Sequence, residues 1–239
     1  GLEAWFSGIA RRVGYAGHWR RWLLNQVYAR PGVGKGAKEH QVHHYLRLAE
    51  FVGAPLLSSE QWVNVRERRR EPGVWRLAVC PGAEYGPAKR WDPERFAEVM
   101  RLVSGREACE WTLVGVAKDA PIGSVIERAV GGVSVQNKIG QTSLGQLIAL
   151  LQQCDVLLTN DTGTMHLAAM LGVKVVAVFG STDPVLTGPL GAGHEVLQHA
   201  VPCGPCFRRE CPLDFGCMRG VSVEEVVAAV LRVLVDRGF

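Results

Sequence analysis

The sequence predicts an α/β fold built on a doubly wound parallel sheet, and three observations carry that prediction. From Arg76 onward, short apolar runs recur at 76–80, 111–115, 155–159 and 174–179. They lack polar alternation, as strands buried on both faces do. Helical stretches at 93–103, 121–130, 143–153 and 163–171 fill the intervals, and strand–helix alternation is the pattern of a parallel sheet covered on both faces. The helix starts are also marked. Asp92 can cap a helix that has Pro93 at its first position, and Ser143 with Gln146 and Ser222 with Glu225 have capping-box spacing.

The elements before Arg76 are sparser. Residues 2–10 read as the tail of a helix and 12–15 as a short strand. The Gly-, Pro- and Lys-rich stretch 30–38 reads as a loop. Val42, Leu46, Ala49 and Val52 recur near the helical period within 39–53, and Gly53 and Pro55 end that helix. The polar, arginine-rich stretch 56–72 is expected to link a first portion, 1–72, to a domain at 73–239 that a helix at 222–237 closes.

A chain of 239 residues, 47% of them hydrophobic, can bury a substantial core. Its longest apolar run, Val173 to Gly180, is broken by Lys174 and falls far short of the ~18 residues of a membrane span. Residues 1–10 lack the basic start and cleavage pattern of a secretion signal, and with no Met at its start the chain is expected to begin inside a longer protein. Charge is uneven: residues 1–70 carry 12 Lys and Arg against 5 Asp and Glu, net +7, whereas 71–239 carry 15 against 18. That basic part could face an anionic surface or an acidic substrate, or simply be solvated. Arg66 to Arg70 is short, is interrupted by Glu67 and comes with no RNA-binding signature, so nucleic acid is not an expected partner. Cys80, Cys109 and Cys154 lie in apolar runs and read as buried thiols of a reducing cytoplasm.

Ligands of a doubly wound sheet bind at the carboxyl ends of its strands, and three loops fall there. The first, PGAEYGPAKRW at 81–91, joins Gly82 and Gly86 to Lys89 and Arg90 before a helix start, a composition suited to phosphate but without P-loop spacing. The second, NDTGTMH at 160–166, brings backbone donors together with Asp161, Thr162, Gly163 and His166. Taken singly, Asp161 could be a helix cap and His166 a core histidine. Together at a strand end they suit a sugar diphosphate, with N–H groups and His166 toward phosphate and Asp161 toward hydroxyls. The third, FGSTDP at 179–184, places Ser181 and Thr182 beside a turn and would wall the same pocket. A fourth cluster, Cys203-x2-Cys206-x4-Cys211-x5-Cys217, has spacing that can hold zinc but lacks the paired CxxC form, so reduced, metal-free thiols are expected.

The blocks GAEYGPAKRW, GQTSL at 140–144, NDTGTMH, FGSTDP and CGPCFRRECPLDFGCM at 203–218 resemble the heptosyltransferase II branch of glycosyltransferase family 9. The first and last are the most specific, and the resemblance runs over nearly the whole chain. It implies a GT-B fold of two Rossmann-like domains, with residues 1–72 the remnant of the acceptor domain and 73–239 the nucleotide-sugar-binding domain. It further implies inverting, metal-independent transfer of heptose from ADP-heptose to the lipopolysaccharide inner core, in the cytoplasm or at the inner-membrane surface, with no cofactor. Lys89 matches the lysine that contacts the donor phosphates, Asp161, Thr162, Gly163 and His166 match the donor loop, and Thr142 falls where the family contacts adenine. An acidic residue for the ribose is expected near Lys118–Asp119. The family's catalytic aspartate belongs to a Gly-Asp loop that would lie upstream of Gly1, so no catalytic residue is assigned and the chain by itself is expected to bind donor without transferring sugar. A family 9 transferase with another sugar or acceptor, or a non-catalytic nucleotide-binding module, remains open at this point.

Overall fold

The computed structural model describes residues 2–17, 19–29, 38–55 and 73–235. Nearly all of the expected loop at 30–38, the expected linker at 56–72 and the end of the last helix lie outside the described residues. The chain divides into two compact units, Gly1–Ser58 with Val185–Thr187, and Ser59–Pro184 with Gly188–Phe239.

The first unit contains α1 (Leu2–Phe6), β1 (Val13–Tyr15), β2 (Gln26–Tyr28) and α2 (Gln41–Phe51). The two strands pair in parallel, Val13 opposite Gln26 and Tyr15 opposite Tyr28. α2 starts slightly later than its periodicity suggests because His40 takes the N-cap, its Nδ1 accepting from Val42 N at 3.2 Å. Tyr15 packs edge-on against Tyr28 and His44, and its hydroxyl donates to the His44 carbonyl at 2.8 Å. No described residue of this unit is fully buried, so the hydrophobic core belongs to the other unit.

The second unit holds β3 (Trp75–Cys80), α3 (Pro93–Ser104), β4 (Cys109–Leu113), α4 (Ala120–Ala129), β5 (Val135–Asn137), α5 (Leu144–Leu151), β6 (Val156–Asn160), α6 (Gly163–Met170) and β7 (Lys174–Phe179). After the single turn α7 (Pro184–Thr187), whose last three residues cluster with the first unit, the second unit continues with β8 (Glu195–Gln198), the turn α8 (Gly216–Arg219) and the closing α9 (Val223–Val235). The strands form one sheet in the order β5-β4-β3-β6-β7-β8, every neighbouring pair parallel. This is the doubly wound order expected from the sequence.

Strand residues divide by parity. Leu77, Val79, Trp111, Leu113, Val156, Leu158, Val176 and Val178 pack with α3, α4 and α9. Ala78, Cys80, Leu157, Val175, Ala177 and Phe179 pack with α5 and α6. Each large side chain contributes about 1.5–3 kcal/mol over an exposed one, so central strands need apolar residues on both faces. Edge strands do not. β5 and β8 alternate between half-buried and exposed residues and show no apolar run, which is why the sequence pattern omits them. β4 begins at Cys109, two residues before its apolar run, through pairs of Trp75 with Cys109 and Arg76 with Glu110. Cys109 is accordingly half-buried rather than buried as expected, and its thiol is pushed up to about 12 by desolvation and then by Glu107.

The caps form as spaced. Asp92 Oδ1 accepts from Glu94 N at 2.8 Å, and both capping boxes close, Ser143 with Gln146 and Ser222 with Glu225. Among the described residues no helix is long and apolar enough to cross a membrane. Chain order runs outward from β3 through β4 to β5, then restarts beside β3 at β6 and runs the other way. The loops after β3 and β6 therefore part in opposite directions and leave a crevice at the carboxyl ends of those strands.

Candidate functional site

The loop after β3 is held by residues far away in the chain. Asn160, the last residue of β6 and fully buried, accepts from Trp91 N at 3.1 Å through Oδ1 and donates to the Pro81 carbonyl at 2.8 Å through Nδ2. One amide thus closes both ends of the 81–91 loop. Within it, a Cβ on Gly82 would overlap the Asp119 carboxylate, with Oδ1 at 2.6 Å. Gly86 has φ +152°, and a Cβ there would overlap the Arg209 carbonyl, whose carbon stands 3.1 Å away. Both glycines are required by close approach of other protein groups. Pro87–Lys89 then makes a 3-10 turn that carries Lys89 toward β6.

Lys89 Nζ lies 2.6 Å from Asp161 Oδ2, the side chains being 12% and 5% exposed. The same oxygen accepts from Thr182 Oγ1 at 2.7 Å. Lys89 also stands 4.9 Å from the centroid of the Tyr85 ring, on which Arg209 lies at 5.5 Å. At the rim, Lys118 pairs with the exposed Glu84. That hydrogen bond and charge hold the Glu84 carboxyl below its usual range, with Arg209 and Arg90 adding to the effect. The crevice therefore has a buried, internally neutral pair at its base and a cationic rim.

Asp161 is followed by Thr162, the N-cap of α6, whose side chain makes no capping bond. Gly163 is exposed, and a Cβ on it would meet nothing within 4 Å. The start of the helix is thus left without a side-chain cap, with its dipole favouring an anion. His166 is half-buried in the first turn. Beneath that turn, burial pushes the Cys80 thiol up, opposed by hydrogen bonds to Thr164 and Thr162 and reinforced by the Asp119 charge, so it stays protonated. Arg90 Nε, Asp119 Oδ1 and Ser181 Oγ, in the loops after β3, β4 and β7, are buried with no hydrogen-bond partner. Folded proteins leave few such atoms, and three along one sheet edge mark a polar crevice. A groove of about 500 Å³ beside the amino-terminal halves of β3 and β4, lined by Arg76, Glu110 and Gln153 among others, touches none of these loops.

Residues 3–215 match the profile of glycosyltransferase family 9 (heptosyltransferase). The chain belongs to glycosyltransferase family 9. This family 9 chain is 33% identical over 216 residues to lipopolysaccharide heptosyltransferase 2 of Escherichia coli, a match covering 82% of the chain and 61% of that protein. It is 36% identical over 214 residues to lipooligosaccharide heptosyltransferase 2 of Haemophilus influenzae, covering 81% and 60%. It thus spans about three-fifths of the length of these curated relatives. Among solved structures, that of E. coli ADP-heptose lps heptosyltransferase II superposes with a TM-score of 0.75 at 27% identity, over 100% of this chain and 74% of that one.

Of the site residues expected from the family 9 motifs, the fold brings Lys89 and Asp161 into direct contact, with Thr162, Gly163 and His166 leading away along α6. Thr142 lies at the same sheet edge but after β5, two strand spacings, about 10 Å, from β3. Its loop is tied to the one after β4 by Gly140 N donating to the Gly115 carbonyl at 2.9 Å. Asn160 closes the first loop through backbone atoms of Trp91 and Pro81, a role that its motif does not encode. Thr182, expected only to wall the pocket, donates to Asp161 as well. The cysteine block turns out to be a strap. Ala88 N donates to the Arg209 carbonyl at 3.0 Å, Arg209 Nε to the Tyr85 carbonyl at 2.7 Å, Tyr85 hydroxyl to the Phe207 carbonyl at 2.7 Å, and Phe207 N to the Ser181 carbonyl at 2.8 Å. The strap so joins the first loop to the third. Its cysteines are free thiols, and burial, with smaller contributions from Cys206 and Cys211, pushes Cys217 up. Among the described residues no group of three or more His, Cys, Asp or Glu is arranged to hold a metal ion.

Proposed function

We propose that this family 9 chain binds ADP-heptose in the β3–β6 crevice as the donor-binding part of a transferase that adds heptose to the lipopolysaccharide inner core. The buried Lys89–Asp161 pair beside the start of α6 carries this reading. A diphosphate lying between the 82–90 loop and α6 would meet an ammonium, backbone donors and a helix dipole in a site with little water. Those groups offset the charge that develops on the departing diphosphate as the glycosidic bond breaks. The names of the relatives, for heptose transfer to lipopolysaccharide and for ADP-heptose, support the sugar and the nucleotide.

Isothermal titration with ADP tests it. The wild-type chain should bind, and Lys89→Met should weaken binding about tenfold to a hundredfold, the range of a charged hydrogen bond. Gly163→Ala should weaken it as well, although its Cβ meets no protein atom. No heat from the wild type, or equal affinities for all three, would overturn the reading.

The same reading puts the chain in the cytoplasm, against the inner leaflet. Support comes from the first unit, where Trp19 and Trp22, 86% and 79% exposed, flank Arg20 and Arg21 within the basic segment. Aromatic rings and arginines together suit an anionic interface. Phosphatidylglycerol vesicles should co-sediment the chain at low salt and release it at moderate salt, while phosphatidylcholine vesicles should not. Equal binding to both lipids excludes this orientation.

A further inference from the structure

We infer that Thr182 is a positioning residue of the diphosphate crevice, acting through Asp161 on Lys89; the inference rests on the function proposed above. The geometry is a three-membered chain. Lys89 Nζ and Thr182 Oγ1 both donate to Asp161 Oδ2, at 2.6 and 2.7 Å. Asp161 and Thr182 are both buried, so neither side chain has bulk water to fall back on. Thr182 is itself fixed. Its carbonyl accepts from Gln198 Nε2 of β8 at 2.8 Å, and the preceding carbonyl, that of Ser181, accepts from Phe207 N at 2.8 Å.

The consequence follows from what happens when a diphosphate enters. The pair is internally neutral, because Asp161 offsets the charge of Lys89. For Lys89 to serve the incoming anion, its ammonium must lean away from Asp161. A buried carboxylate stripped of its donor is strongly disfavoured. The Thr182 hydroxyl keeps Asp161 hydrogen-bonded through that shift, so the lysine is released at lower cost. Without the hydroxyl, Asp161 holds Lys89 more firmly and the diphosphate binds less well. Thr182 need never touch the ligand.

A double-mutant cycle read by ADP titration tests this on the 239-residue chain. Thr182→Val keeps the shape and removes the donor, and should weaken ADP binding about five- to tenfold, the range of an ordinary hydrogen bond, because its effect reaches the ligand only through Lys89. Thr182→Ser restores the donor and should bind within about twofold of wild type. In a Lys89→Met background Thr182→Val should make no difference, because its effect passes through the lysine. An equal loss with and without Lys89 means Thr182 only supports the loop, and overturns the inference. So does a Thr182→Val chain that binds as wild type does. If Thr182→Val does not fold, Thr182→Ala takes its place in the same cycle. A wild-type chain that fails to bind ADP removes the proposed function and this inference together, whereas a binding wild type with a silent Thr182 variant removes this inference alone.

Discussion

Replacing Asp161 by alanine should cost about 3 kcal/mol of folding stability, because it leaves the Lys89 ammonium buried without its counter-charge. Removing one partner of a fully buried pair typically costs ~3–5 kcal/mol. Lys89 is 12% exposed and its long stem can carry the charge part of the way to water, which puts the expectation at the low end. Asp161→Asn should cost less, since the amide oxygen still accepts from Thr182 and Lys89. Combining Asp161→Asn with Lys89→Met should recover most of the loss, because no uncompensated charge then remains. Urea unfolding followed by circular dichroism gives the comparison. An alanine variant within about 0.5 kcal/mol of wild type, the usual scatter for a surface change, shows that the pair does not bear on the fold.

Gly86→Ala is the other substitution with a large expected effect. The residue has φ +152°, where a side chain is strained, and the new Cβ would overlap the Arg209 carbonyl. Strain of ~1–3 kcal/mol and overpacking of ~1–3 kcal/mol add to about 2–6 kcal/mol if the loop stays in place. The local alternative is cheaper: the strap carrying Phe207 and Arg209 lets go of the 85–88 segment. That outcome has its own signature, faster reaction of Cys206 and Cys211 with a thiol reagent at temperatures where the sheet is intact. Gly163→Ala is the control, since no protein atom lies within 4 Å of its added Cβ. If Gly86→Ala matches that control in both melting temperature and thiol reactivity, the close approach of strap and loop is not as described.

The central sheet was legible because burial on both faces writes itself into composition. β3, β6 and β7 appear as apolar runs, Asp92 and Ser143 mark the starts of two helices that lie between β3 and β6, and Ser222 marks the start of the closing helix. β2, β5 and β8 were not legible, since three or four residues of half-exposed strand carry too little pattern to stand out. The site divides in the same way. Lys89, Asp161, Thr162, Gly163 and His166 sit in compact motifs and could be placed at one sheet edge from their position after strands. The relations among them could not. That Asp161 would neutralise Lys89, that Thr182 would share the same oxygen, and that the cysteine block would clasp the first loop all depend on distances between segments far apart in the chain.

Those separations bear on when the site comes into being. The bond from Lys89 to Asp161 spans 72 residues, those from Asn160 to Trp91 and Pro81 span 69 and 79, and that from Arg209 to Tyr85 spans 124. Closing loops of that size costs chain entropy that local turns cannot offset, so such contacts form only once the sheet has joined its two halves. The crevice is therefore complete in neither half of the sheet alone. Its formation coincides with the pairing of β3 and β6, the seam of the whole sheet. A molecule that occupies the crevice therefore recognises only the folded chain, and its binding free energy is added to the stability of the entire second unit rather than to one loop.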